Sequence, residues 1–205
     1  ILSIFSVFFI QVMVFGQDDL KTFTNFQEAL KTPEKVVRLD LSNQEIDFSL
    51  EALQQFKNME YLSLRNDNLV NIPPEIFELD QLKVLDLSGN EFSELPAEMN
   101  KLKNLEELYL NDEEKLNLTQ SINVLSELPN LRSLHLENDR ISTFPENIFK
   151  LDKLEYLYLN ENELMEIPQS VIKMKQIKLI DLQSNPIPPP IKNEFKQEGN
   201  TIVRF

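Results

Sequence analysis

The chain has 205 residues, 41% hydrophobic and 26% charged, enough for one sizeable domain or two small ones. With no cysteine, one histidine and three glycines, it cannot build disulfides, thiol catalysis, Cys-ligated zinc or a glycine-rich phosphate loop. A net charge of −14 argues against nucleic acid as a partner; it serves solubility, and it leaves room for a basic partner or a cation.

The chain opens on ILSIFSVFFIQVMVFG, which is uncharged and rich in Ile, Val and Phe. A comfortable membrane-spanning helix needs about 20 apolar residues, so this run is short for one. Val14-Phe15-Gly16 fits a signal-peptidase site, and the initiator Met and basic leader residues are missing. The expectation is a truncated signal peptide over residues 1–16, with a mature chain beginning at Gln17 and no membrane span. The alternative is an uncleaved anchor. An exported chain without cysteines must be stable without disulfides.

Residues 17–35 read as an N-terminal helical cap. Thr24-x-x-Gln27 makes a capping box, Phe26 and Leu30 share a face, and Pro33 ends the helix. From residue 36 a pattern takes over. Val36-x-x-Leu39-x-Leu41 recurs at Met59, Leu82, Leu105, Leu131, Leu154 and Ile177. Successive starts are 23 residues apart, except for one gap of 26 between Leu105 and Leu131. Tyr156-Leu157-Tyr158-Leu159-Asn160 alternates polar and apolar, the period of a half-buried strand. Leu157 and Leu159 should point inward, and Tyr156, Tyr158 and Asn160 outward. Ile72-Pro73, Leu95-Pro96, Phe144-Pro145 and Ile167-Pro168 then turn the chain. Apolar residues at helical spacing, such as Val171 and Met174, bring it back beside the last strand. After residue 187, Pro188–Pro190 stop the repeat; Ile191, Phe195 and the final TIVRF are expected to cover the open edge over 188–205, with TIVRF as a last strand.

This pattern resembles the leucine-rich repeat family, in its 23-residue L-x-x-L-x-L-x-x-N-x-L-x-x-I-P form, over residues 36–187. Its flanks resemble those of exported bacterial members. The resemblance implies an α/β solenoid of about seven repeats plus caps. A curved parallel sheet would form the concave face, and short helical or 3-10 segments the convex one. It also implies that an Asn in each turn both donates to and accepts from the backbone. Here that position reads Gln44, Asp67, Asn90, Glu113, Asp139, Asn162, Asn185. An ionised carboxylate only accepts, so the ladder should weaken at Asp67, Glu113 and Asp139, unless water or a cation fills in.

The outward strand positions collect all four tyrosines, Tyr61, Tyr109, Tyr156 and Tyr158, and the lone His135. Parallel strands lie about 4.8 Å apart, so Tyr109, His135 and Tyr158 should form a ladder flanked by Tyr156. Tyrosine suits an exposed strand position in its own right, and aromatic residues also dominate binding hot spots. The expected contact residues are Tyr61, Arg65, Tyr109, His135, Glu137, Tyr156, Tyr158 and Asn160. The lengthened repeat is expected to put Asp112, Glu113 and Glu114 on the rim beside them, or to be a neutral loop. Ser133, His135 and Glu137 invite comparison with a triad, but residues two apart on a strand should stand in a row with no oxyanion hole. The expectation is an exported binding module for a protein or peptide, without catalysis, cofactor or metal. A structural or adhesive surface protein is the alternative. Ile-Pro repeats also resemble Ras-associated scaffolds, which leaves an intracellular regulator as a third reading.

Overall fold

The computed structural model describes residues 21–44, 46, 49–167, 169–172, 174–194 and 201–205. Nine short strands form one parallel sheet in strict chain order. They are β1 (Thr22–Phe23), β2 (Arg38–Asp40), β3 (Tyr61–Ser63), β4 (Val84–Asp86), β5 (Glu107–Tyr109), β6 (Ser133–His135), β7 (Tyr156–Tyr158), β8 (Leu179–Asp181) and β9 (Ile202–Arg204). From β2 to β8 the central residues Leu39, Leu62, Leu85, Leu108, Leu134, Leu157 and Ile180 face one another in register. Alternation fixes their facing: Leu157 and Leu159 are fully buried, while Tyr156 and Tyr158 stand half-buried on the opposite side. No single repeat can enclose its aliphatic face, so the core runs from Phe23 to Ile187 as one cluster.

Each strand from β2 to β8 leaves through a turn with a left-handed residue at one shared position. Asn43, Asn66, Gly89, Asp112, Asn138, Glu161 and Ser184 all hold φ between 57° and 68° there. Asn, Asp and Gly tolerate this region; Glu161 and Ser184 do so at some strain. At Gly89 a Cβ would also lie 1.9 Å from Asn66 Oδ1. In two repeats an extended proline, Pro96 or Pro145, then starts the return through a 3-10 turn. Such turns cover Glu51–Gln55, Pro74–Glu78, Ala97–Lys101 and Glu146–Lys150.

The lengthened repeat makes an α-helix instead, α2 (Leu118–Leu125), after the four-residue α1 (Phe26–Ala29) of the N-terminal cap. Asn117 caps α2 by accepting from Gln120 N at 3.1 Å. At 1.5 Å per α-helical residue and 2.0 Å per 3-10 residue, α2 and a five-residue 3-10 turn span similar lengths, about 12 and 10 Å. The extra residues are thus wound into helix α2, and of the three carboxylates expected on the rim Glu113 is a correction. Glu113 points inward and is 1% exposed; Asp112 and Glu114 do lie at the surface, paired with Arg65 and Arg140.

Described residues flank the repeats at both ends, and at the N-terminal end they differ from expectation. Asn25, not Thr24, caps α1, accepting from Glu28 N at 2.9 Å. The helix stops at Ala29, and Pro33 opens a 3-10 turn over Pro33–Lys35 rather than ending a helix. The cap also supplies a strand, β1, paired with β2. At the other end α4 (Pro189–Glu194), following α3 (Gln169–Ile172), leads to TIVRF, which forms β9 against β8 as expected. The apolar leader, the Gly16/Gln17 junction, Pro168 and Phe195 lie outside the described residues. Among the described residues no helix is long and apolar enough to cross a membrane.

Candidate binding face

Register lines the outward side chains into columns. The middle one reads Asp40, Ser63, Asp86, Tyr109, His135, Tyr158, Asp181, Arg204 from β2 to β9. Tyr109 and His135 stack with ring centroids 3.9 Å apart, and His135 and Tyr158 at 4.2 Å. The imidazole is therefore sandwiched between two phenol faces, and His135 is 8% exposed.

Carboxylates lock the stack in place. His135 Nε2 lies 3.0 Å from Glu107 Oε1, and Nδ1 3.3 Å from Glu137 Oε1. The same Glu107 oxygen accepts the Tyr109 hydroxyl at 2.7 Å. Burial by itself pulls the His135 pKa down, but the hydrogen bonds and charges of Glu107 and Glu137 outweigh it and leave it raised. Burial likewise pushes Glu107 up, and the bonds from His135 and Tyr109 bring it below its ordinary value. Burial, reinforced by nearby carboxylates, holds the Tyr158 hydroxyl protonated up to about 12 and raises Tyr109 as well.

Ser133, His135 and Glu137 do more than stand in a row. Ser133 Oγ lies 3.2 Å from His135 Nε2, so all three are linked through the imidazole. The link does not make a general base: Glu107 occupies the same Nε2, and a raised pKa favours the protonated imidazole, which cannot take a proton from serine.

Of the expected contact residues, Tyr109, His135, Glu137 and Tyr158 come together. Tyr156 stands beside them on β7, with Lys178 Nζ 5.8 Å from its ring centroid. Asn160 follows β7 at the same end, and its carbonyl accepts from Asn138 N. Tyr61 and Arg65 are not part of this cluster. Tyr61 is on β3, two strands away, with the Arg38 guanidinium 4.0 Å over its ring; Arg65 turns to Asp112 at 3.7 Å. Glu107 is the residue that sequence reasoning left out of the site. Its signal was available in the repeat phase, which puts it diagonally across from His135.

Beneath this face the turn ladder splits by residue type. Asn162 Oδ1 accepts from Asp139 N and Ile141 N, while its Nδ2 donates to Leu136 O at 2.7 Å and Leu159 O at 3.0 Å. Asn90 does the same three repeats earlier in the ladder. Glu113 keeps only the accepting half, from Asn90 N at 2.6 Å and Phe92 N at 3.1 Å. Asp139 accepts from Glu113 N at 2.7 Å, and its buried Oδ2 meets no hydrogen-bond partner among the described residues. Burial, against too few donors, pushes Glu113 up to about 7 and Asp139 to about 8. The expected weakening is thus a loss of donors. Among the described residues no group of three or more His, Asp or Glu is placed to hold a metal ion.

A family model described as leucine-rich repeat region matches residues 20–130, and one described as leucine rich repeat matches 129–187. Among solved structures, a leucine-rich repeat protein of Leptospira interrogans is 29% identical, with a TM-score of 0.62 over 80% of this chain and 47% of its own. An internalin of Listeria monocytogenes, InlF, is 18% identical with a TM-score of 0.60, covering 83% of this chain and 48% of that one. Toll, in the Toll–Spätzle complex of Drosophila, is 18% identical with a TM-score of 0.66, over 81% of this chain and 22% of that one. At 18% the likeness is one of fold. This chain spans about half the length of the Leptospira protein and of InlF. No curated protein matches it.

Proposed function

The chain belongs to the leucine-rich repeat family, and we propose on that footing that it is an exported module that binds a protein or peptide on its concave face. Leucine-rich repeat domains are in general protein–protein interaction modules, and as a rule they are not catalytic. The observation that carries the finer reading is the Tyr109–His135–Tyr158 stack, held by Glu107 and Glu137. The sheet face it occupies does not need it: the core lies on the other side. Rigid aromatics with little rotamer entropy left to lose are what a contact surface uses. That Toll is seen in a complex with the protein Spätzle supports a protein as the class of partner.

The test is capture from the envelope fraction of the producing cell. The intact protein should retain one stoichiometric partner. Tyr109→Ala combined with Tyr158→Ala should lose it, while the melting temperature falls by only a few degrees. Loss of folding in step with loss of capture would assign the tyrosines to the scaffold. Diffuse association with the envelope would favour the structural or adhesive reading. Export rests on the apolar leader, and a mature chain found to begin at Gln17 checks it. A chain that keeps the leader would argue for an anchored or intracellular protein.

A further inference from the structure

Each imidazole nitrogen of His135 meets a carboxylate. Nε2 lies 3.0 Å from Glu107 Oε1, and Nδ1 3.3 Å from Glu137 Oε1. A neutral imidazole carries one N–H, so it satisfies one of these acceptors and turns a lone pair on the other. Only the imidazolium donates to both. The cluster also holds a group suited to the neutral ring. Ser133 Oγ lies 3.2 Å from the same Nε2. A hydroxyl accepts from a protonated nitrogen and donates to a bare one, so Ser133 fits Nε2 in either state; Glu107 fits it only with the proton on.

The two carboxylates differ in what else holds them. Glu137 Oε2 is buried and meets no hydrogen-bond partner among the described residues, so its carboxylate depends on the Nδ1 proton. Glu107 has a second donor in the Tyr109 hydroxyl at 2.7 Å, and its side chain is 33% exposed against 21% for Glu137. Losing the Nδ1 proton would strand a mostly buried charge. Losing the Nε2 proton leaves Glu107 with Tyr109 and with water to turn to. The other neighbours do not contest this. The rings of Tyr109 on β5 and Tyr158 on β7 cover the two imidazole faces. Asp86, Asp181 and Arg204 bear on those phenols rather than on the imidazole, and Asp181 pairs with Arg204. Tyr156, opposite Ser133, has Lys178 near its ring.

We propose that one proton on His135 Nε2 sets two states of the contact face: with it on, Glu107 ties the imidazolium to the Tyr109 hydroxyl and the three rings form the rigid binding surface; with it off, Ser133 donates to Nε2, Glu107 turns to solvent and the stack loosens. A cation between two phenol faces is also attracted by both rings, and that attraction goes with the proton. The raised pKa of His135 puts the change above its ordinary 6.5. This inference deepens the binding reading given above and rests on it.

The first probe is the proton itself, followed in the full chain labelled with ¹⁵N-histidine. Both His135 nitrogens should be protonated at pH 5. Above a midpoint higher than 6.5, Nδ1 should keep its proton and Nε2 should be bare. The ring resonances of Tyr109 and Tyr158 should move with the same midpoint. Ser133→Ala takes the replacement donor from the neutral state and should raise the midpoint by about half a pH unit, whereas a serine that only fills space would leave it in place. Glu107→Gln should lower it by about one. A neutral ring that keeps its Nε2 proton, or a midpoint that Ser133→Ala leaves unmoved or lowers, would overturn the proposal. Envelope capture is the second readout. It should be about fivefold stronger at pH 5 than at pH 9, and Ser133→Ala should carry that profile upward with the midpoint. Equal capture at both pH values would overturn the control of binding. The binding reading fails separately: the double tyrosine variant would then capture as well as the intact chain, whatever His135 does.

Discussion

Two groups of carboxylates sit within one repeat of each other, and their pKa values are displaced in opposite directions. On the outward face, half-buried Glu107 titrates below its ordinary value, because His135 and Tyr109 both bond to it. In the turn ladder below, Glu113 and Asp139 are pushed up to about 7 and 8, although backbone amides bond to both. Burial acts in the same direction on all three. The difference is the donor: a cation and a hydroxyl against one or two neutral amides. Of these three carboxylates, the one to which the side-chain column supplies a cation holds its charge more firmly than usual, and the two bonded only by backbone amides hold theirs less firmly.

The most severe way to break that comparison is to give a carboxylate no donor at all. Leu159 is fully buried among aliphatic side chains. Leu159→Asp should cost about 4 kcal/mol or more and melt the neighbouring repeats. Circular dichroism and gel filtration would show it, and a soluble, cooperatively melting variant would contradict the assigned facing of the strands. Next in size is the conversion of a good ladder position into a poor one. Asn162→Asp removes the bonds to Leu136 O and Leu159 O, and should cost about 2–3 kcal/mol in denaturant melts at pH 8, with part of the loss recovered at pH 5.

The reverse exchange sharpens the comparison. Asp139 has a folded pKa above its ordinary 3.8, so its neutral form is the one the fold favours. Its contribution is fully present below that ordinary value and is lost as pH rises through about 8. Asp139→Asn should therefore add about 1–2 kcal/mol at pH 8.5 and almost nothing near pH 4. A gain that is independent of pH would mean that the charge on Asp139 is not the cause. The smallest effect is expected on the outward face. His135 has a raised pKa, so its contribution is full below 6.5 and is lost as pH rises through the folded value. His135→Gln should then cost about 1 kcal/mol at pH 5 and less at pH 9. Glu107 runs the other way: its share is present above 4.5 and is lost as pH falls through its lowered value.

Much of the scaffold is legible in the spacing. A three-then-two interval such as Leu154, Leu157, Leu159 leaves one way to bury all three, and that facing decides where Tyr156 and Tyr158 stand. TIVRF reads as a strand because an open parallel edge needs a partner. What the spacing does not carry is how side chains bend across the register. Period alone puts Glu113 in the ladder or on the rim, and only its reach to Asn90 N and Phe92 N decides for the ladder. Thr24 and Asn25 are both good caps, and the chain's entry through β1 selects the second. Glu107 joins the site because its carboxylate crosses to the next strand. Ser133 and His135, two apart, meet because the imidazole turns along the sheet. Such contacts belong to rotamers, which a residue pattern does not specify.

Carbon-detected NMR titration of the side-chain carboxyl groups tests the central claim most directly, that cations rather than burial decide which of these groups stay charged. The Glu107 carboxyl should titrate below 4.5, Glu113 at about 7 and Asp139 at about 8, all in one sample. Midpoints for Glu113 and Asp139 down in the ordinary carboxylate range beside Glu107 would show that backbone amides suffice, and would contradict it.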